Sequence, residues 1–294
     1  MRTVLYSHPT CLQHDTGPHH PECARRVSAI TDRLIASRLA DVRVFVDAPE
    51  VSRVQLLRVH DGDYIDHLAE KMPSQEYASL DPVTIISPGS LAAARHAAGA
   101  AVAAVDAEMS GEADNAFCCV RPPGHLAERR RAMGFCLYNN IAVGAAHALE
   151  AHGLSRVAII DFDVHHGNGT QHIFENDASV FYYSIHQHPS FAYPGTGREF
   201  EYGSGDGHGF TRNSPVLPGQ GDKEYKQLIE EHLVADFKRF KPEVILVSAG
   251  FDGHVDDDMS DINLSSEWYT WMMEKIMDMA AQYTGGRLVS VLEG

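Results

Sequence analysis

Val157-Ala-Ile-Ile-Asp161-Phe-Asp163-Val-His165-His166-Gly167 is the stretch on which the reading of this chain turns. Its first four residues are apolar and largely β-branched, the pattern of a short strand buried on both faces. Side chains two apart on an extended segment share a face, so Asp161, Asp163 and His165 are expected to converge where that strand ends. Two carboxylates and an imidazole together suggest a metal site. An acidic loop end with a satisfied histidine is the plainer alternative that an isolated triplet leaves open.

Working outward, further apolar runs read as buried strands at Val42 to Val46, Ala116 to Val120, Val180 to Ile185, Val244 to Val247 and Leu288 to Leu292. Helical patterns lie at Cys23 to Arg38, Ser90 to Met109, Asn140 to His152, Lys223 to Phe240 and Ser265 to Tyr283, the last opening with a serine cap. Strands alternating with helices predict an α/β fold: a mainly parallel central sheet covered by helices on both faces. In such sheets sites gather at the strands' carboxyl ends. Arg121-Pro-Pro-Gly-His125, Asp161 to His165 and Asp252 each follow a strand, so three strand ends supply polar groups to one rim. The segment His186 to Gly221 has little strand or helix period and reads as a long loop; Phe191 and Tyr193 within it favour an active-site wall over a disordered excursion.

The 294 residues, 44% hydrophobic, show no linker, charge block or repeat and read as one domain over 1–294. A net charge of −16 disfavours contact with nucleic acid and would attract a cationic substrate instead. Cys11, Cys23, Cys118, Cys119 and Cys136 form an odd set without a C-x-x-C pair, so neither a disulfide framework nor a cysteine zinc knot is expected, and a reducing cytoplasm fits. No apolar run has the length of a membrane span; the Ala-rich stretch Leu91 to Ala107 is broken by Arg95, His96 and Asp106 and reads as a buried helix.

Asp163, His165 and Asp252 would offer a divalent ion one imidazole and two carboxylates and leave positions open, the pattern of a catalytic rather than a structural zinc site. Such an ion polarises a carbonyl and acidifies water, so hydrolysis of an amide or ester is the expected reaction. In the order His20-Pro-Glu22 with Arg26, Ser87-Pro-Gly89, Arg121-Pro-Pro-Gly-His125, Met133-Gly-Phe-Cys136, Asp161 to Thr170, Tyr193-Pro-Gly-Thr-Gly197, Ser248-Ala-Gly-Phe-Asp252 and Leu292-Glu-Gly294, the chain resembles the zinc-dependent histone deacetylase superfamily, particularly its class II and bacterial branch with the acetylpolyamine amidohydrolases and acetoin-utilisation proteins. The resemblance implies the arginase/deacetylase fold and zinc on Asp163, His165 and Asp252. It gives Phe135 and Tyr193 the walls of an acyl-lysine channel, with Gly134 beside them. Asp161 matches the carboxylate that orients the first active-site histidine, His125, and with Ser184 resembles a structural potassium site. Arg26 resembles an arginine near the acetate exit path, with a surface salt bridge as the alternative. His166 is expected in a supporting or structural place. The implied substrate is an acylated lysine or a small acylated amine, and a homo-oligomer stays open.

Two departures stand out. Relatives carry a second histidine after Pro-Pro-Gly-His, assigned as proton-transferring base and acid; this chain has Leu126, and loss of such a group costs about 10²- to 10⁴-fold in rate. Asn168, the match to that histidine's partner, is expected to turn to backbone or water. The relatives' Leu-Glu-Gly run continues to a tyrosine or histidine that stabilises the oxyanion, whereas the sequence given stops at Gly294; the expectation is a fold without the usual C-terminal elements and a further loss of about 10²- to 10³-fold. The reading that follows is a zinc deacetylase of weakened turnover, with His125 assisting. A catalytically impaired acyl-amine-binding protein is one alternative, and an arginase-like hydrolase with two manganese ions is another.

Overall fold

A computed structural model describes residues 2–39 and 44–294. In chain order the elements are β1 (Thr3–Ser7), α1 (Arg25–Ala36), β2 (Val44–Asp47), α2 (Arg53–Leu57), α3 (Gly62–Glu70), β3 (Ala78–Ser79), β4 (Ile85–Ile86), α4 (Ser90–Met109), β5 (Asn115–Cys118) and α5 (Asn140–His152). Then come β6 (Val157–Asp161), α6 (Asn168–Phe174), β7 (Val180–Gln187), β8 (Thr211–Val216), α7 (Asp222–Leu228), α8 (Val234–Phe240), β9 (Val244–Ala249), α9 (Ser266–Tyr283) and β10 (Leu288–Leu292). One π turn, Ile229–Leu233, joins α7 to α8, so the single helical pattern from Lys223 to Phe240 is one interrupted helix. Among the described residues eight strands form one sheet in the order β2-β1-β5-β10-β9-β6-β7-β8, every pair parallel, and β3 and β4 make a separate short hairpin.

The alternation of side chains along the strands divides the core in two. Val157, Ile159, Leu246, Val289 and Val291 join α4 and α5 in one buried cluster, while Ala158, Ile160, Ile245, Val247 and Leu288 join α7, α8 and α9 in the other. β6 is buried at all five positions, as its apolar run predicts, because β9 and β7 flank it and helices cover both faces. The Ala-rich α4 packs through its small side chains and approaches backbone closely: a Cβ on Gly99 would fall 1.9 Å from the Pro49 carbonyl oxygen. α5 opens where the Asn139 side chain accepts from the Ala142 N–H and closes at Gly153, with φ of +65°. Ser265 caps α9 as expected, its Oγ accepting from the Trp268 N–H at 3.2 Å.

The parallel α/β architecture with helices on both faces agrees with the sequence reading. The expected strand from Val42 to Val46 is observed from Val44; Val42 and Arg43 lie outside the described residues. The structureless loop expected from His186 to Gly221 requires correction: β7 runs to Gln187, and Thr211–Val216 forms an edge strand parallel to it. That strand, Thr-Arg-Asn-Ser-Pro-Val, is polar and carries Pro215, which an edge tolerates and an interior position would not. No helix among the described residues is long and apolar enough to cross a membrane, and all five cysteines are free.

Candidate metal centre

Three strand ends build the site. Asp163 and His165 follow β6, Asp252 follows β9, and His125 lies beyond β5. The ligating atoms of Asp163, His165 and Asp252 all lie within 4.8 Å of one another. His165 Nδ1 sits 2.9 Å from Asp252 Oδ2 and 3.2 Å from Asp163 Oδ1. Both carboxylates are buried and held from behind: the Val164 N–H donates to Asp252 Oδ1 at 3.0 Å, and the Gly294 N–H donates to Asp163 Oδ2 at 2.8 Å. Burial works to deprotonate His165, but its hydrogen bonds to Asp163 and Asp252 outweigh this and push its pKa up to about 10. A proton on that imidazole balances part of the negative charge of two buried carboxylates, which is the place a divalent cation suits. The donor set therefore fits zinc, with Nδ1 as the histidine ligand.

Asp161 does not converge with Asp163 and His165 as alternation implies and instead meets His125, the partner that the family resemblance implies. Its carboxylate accepts from His125 Nδ1 at 2.9 Å and from the Tyr182 hydroxyl at 2.9 Å, so it fixes the His125 ring and does not join the trio. His125 Nε2 then faces the cleft, 3.7 Å from Asp163 Oδ1. Burial opposes a charge on His125, yet Asp161 and Asp163 raise its pKa well above the ordinary value. Ser184 is the register partner of Asp161 across β6 and β7, and its Oγ pairs with His186 Nδ1 at 2.8 Å. His166 is buried and structural: Nδ1 pairs with the Thr196 hydroxyl at 2.8 Å, Nε2 with Gln171 Oε1 at 2.9 Å, and burial lowers its pKa to about 3.

Above the trio opens a cleft of about 460 Å³. Phe135, Tyr193, Gly134 and Leu126 form its apolar wall. Gly134 adopts φ of +57°, and a Cβ there would lie 2.2 Å from Leu126 Cδ1 and 3.1 Å from the Tyr193 ring, so its bareness keeps these groups in contact. His20 meets Phe135 edge-on, with ring centroids 4.7 Å apart. Phe191 is not part of this wall: it is 60% exposed and packs on His188. Asn168 turns to backbone, as expected, its Nδ2 donating to the Leu126 carbonyl at 3.3 Å, and also to the Glu128 carboxylate; its Oδ1 is buried without a partner.

Two carboxylates that the sequence reading matched without giving them a role matter here. Glu293 accepts from the Gly124 N–H at 2.6 Å, the His125 N–H at 3.1 Å and the Ser248 hydroxyl at 3.0 Å, tying the His125 turn to β9 and β10; burial raises its pKa to about 7. Glu22 binds the fully buried Arg121 through two hydrogen bonds of 2.6 and 2.7 Å. Arg26 reaches Glu22 at 3.3 Å and the Glu293 carbonyl, and is one of the residues lining the cleft. Spacing gives no sign of such pairings, because the partners lie up to 267 residues apart.

The model of the histone deacetylase domain matches residues 20–294. A probable deacetylase of Archaeoglobus fulgidus is 38% identical over all of this chain and 81% of its own length. The histone deacetylase-like amidohydrolase of Pseudomonas aeruginosa is 37% identical, again over 100% of this chain and 81% of that protein. The human polyamine deacetylase HDAC10 is 36% identical over 93% of this chain and 42% of its own. The crystal structure of the HDA15 HD domain superposes with a TM-score of 0.93 at 34% identity, covering 100% of this chain and 83% of that one. The parallel sheet, the trio at its carboxyl edge and a match over residues 20–294 thus converge on one conclusion: the chain belongs to the histone deacetylase domain family.

Proposed function

We propose that the protein is a zinc-dependent deacylase of lysine or polyamine-type amines whose turnover is reduced by Leu126. The observation that carries the reading is His165 Nδ1 set between the Asp163 and Asp252 carboxylates at the foot of an apolar cleft. Zinc held by Asp163, His165 and Asp252 would polarise the amide carbonyl and acidify water. Phe135, Tyr193 and Gly134 admit a slender chain and exclude solvent from its methylenes, leaving its acyl end at the trio. His125, with Nδ1 fixed on Asp161, offers Nε2 to the reacting atoms, where it can pass a proton to the departing amine.

Leu126 brings only methyl groups to the place where a second imidazole would accept that proton, which supports slow hydrolysis and favours recognition of acylated amines as the second reading. Metal analysis and a fluorogenic acetyl-lysine assay test the proposal together. Zinc in the cleft with slow turnover supports it; zinc with no turnover favours the binding protein; two manganese ions in the cleft would point to arginase-like chemistry and sink it. The potassium role of Asp161 and Ser184, a cytoplasmic location and a homo-oligomeric state belong to the same proposal.

A further inference from the structure

A second group of ligating side chains occurs among the described residues, far from the cleft. Asp106 lies in the last turn of α4, and His147 and His152 lie in the last two turns of α5. Asn140, at the start of α5, donates to the Pro122 carbonyl near the His125 turn, so roughly 15 Å of helix separates the group from the catalytic rim. Both imidazoles aim Nε2 at one atom, Asp106 Oδ1, each at 2.7 Å. Asp106 is half-exposed and His152 one-quarter exposed, so water has access to the point on which the three converge.

Arg58 adds a constraint. Its Nη1 lies 2.9 Å from His147 Nδ1, and a guanidinium can only donate, so Nδ1 accepts and the ring carries its proton on Nε2, toward Asp106. We propose that Asp106, His147 and His152 form a second, solvent-accessible site for a divalent d-block cation such as zinc, and that Arg58 sets its affinity. Two imidazoles and a carboxylate suit such an ion. Ligation at about 2.0–2.1 Å in a tetrahedron needs ligand atoms about 3.3 Å apart, so the present nitrogen-to-oxygen spacings of 2.7 Å have only to open slightly. Ligation through Nε2 moves the His147 proton to Nδ1, where it meets the Arg58 donor. Arg58 must then swing away, and the need to displace it weakens the site. Occupied, the site braces α4 against α5.

The test is zinc binding by untagged, chelator-stripped full-length protein, counted by equilibrium dialysis in wild type, His147→Ala, His152→Ala and Arg58→Gln. Expected is one zinc fewer in both histidine variants than in wild type. Arg58→Gln, whose amide oxygen can accept from Nδ1, should bind that zinc about tenfold more tightly, the scale on which ligand-orienting neighbours act. The comparison is a difference between variants and does not depend on whether the cleft holds metal. His152 is partly exposed, so its variant keeps the fold, checked by circular dichroism. Equal zinc counts in wild type and both histidine variants, or an affinity unchanged or weakened by Arg58→Gln, would overturn the proposal and leave the trio as an ion-paired clasp between helices.

Discussion

Restoring an imidazole at position 126 tests the proposed chemistry most directly. Leu126 is 5% exposed, touches Gly134, and packs in a small cluster with Ala127, Cys136 and Met133. A histidine side chain is of similar length, so Leu126→His should fit with its ring turned into the cleft. The structure also holds a partner for it: Asn168 Oδ1 is buried and unpaired, while Asn168 Nδ2 donates to the carbonyl of residue 126 itself. Losing the buried leucine costs about 1.5–3 kcal/mol, and a new hydrogen bond to Asn168 returns about 1 kcal/mol, so the variant should fold with a modest loss of stability. A positioned acid–base group is worth about 10²- to 10⁴-fold, and we expect kcat/KM on a fluorogenic acetyl-lysine substrate to rise by at least about 10². Leu126→His with Asn168→Ala should lose part of that gain, because the ring is then no longer oriented. Wild-type turnover already equal to that of a well-folded Leu126→His protein would refute the argument, since the leucine would then not be what limits hydrolysis.

Other expectations follow from the buried charges. In a His152→Ala background, where only the cleft is counted, zinc at a hundredfold excess over its Kd should stabilise the protein by about 2.7 kcal/mol in differential scanning calorimetry, and Asp252→Asn should abolish most of that rise. Glu22→Ala strands the buried Arg121 guanidinium and should lower stability by about 3–5 kcal/mol, read from urea unfolding; an unchanged midpoint would mean that water replaces the carboxylate. Glu108 is buried, and burial outweighs the neighbouring backbone N–H groups of Leu288 and Ala116 and raises its pKa to about 8. The unfolded carboxyl ionises near its ordinary pKa of about 4.5 while the folded one keeps its proton, so this residue removes stability progressively as pH rises from there to about 8. Glu108→Gln should therefore be more stable than wild type at pH 8 by more than it is at pH 5, and an equal difference at both pH values would contradict the assignment.

Much of the order of strands and helices was written in hydrophobic period, because elements buried on one or both faces have to repeat apolar residues at the spacing of their own backbone, whereas β1 and the short α2, α3 and α6 were not read from the sequence. α4 and α5 are observed with the bounds expected from their patterns, and β6 needed only its apolar run. The convergence of Asp163, His165 and Asp252 was also legible, since each follows a strand and parallel strands deliver their ends to one edge. Tertiary structure decided what spacing cannot encode. It gave the Asp161 carboxylate to His125 and Tyr182, made Glu293 a tie between three strand ends, and left Asn168 Oδ1 without a partner beside Leu126. It also turned a polar, proline-bearing run into edge strand β8, where one row of backbone groups needs no partner. Local sequence sets which face of an element is apolar; which buried polar atoms meet is settled only when elements distant in the chain pack together and must satisfy one another's hydrogen bonds away from water.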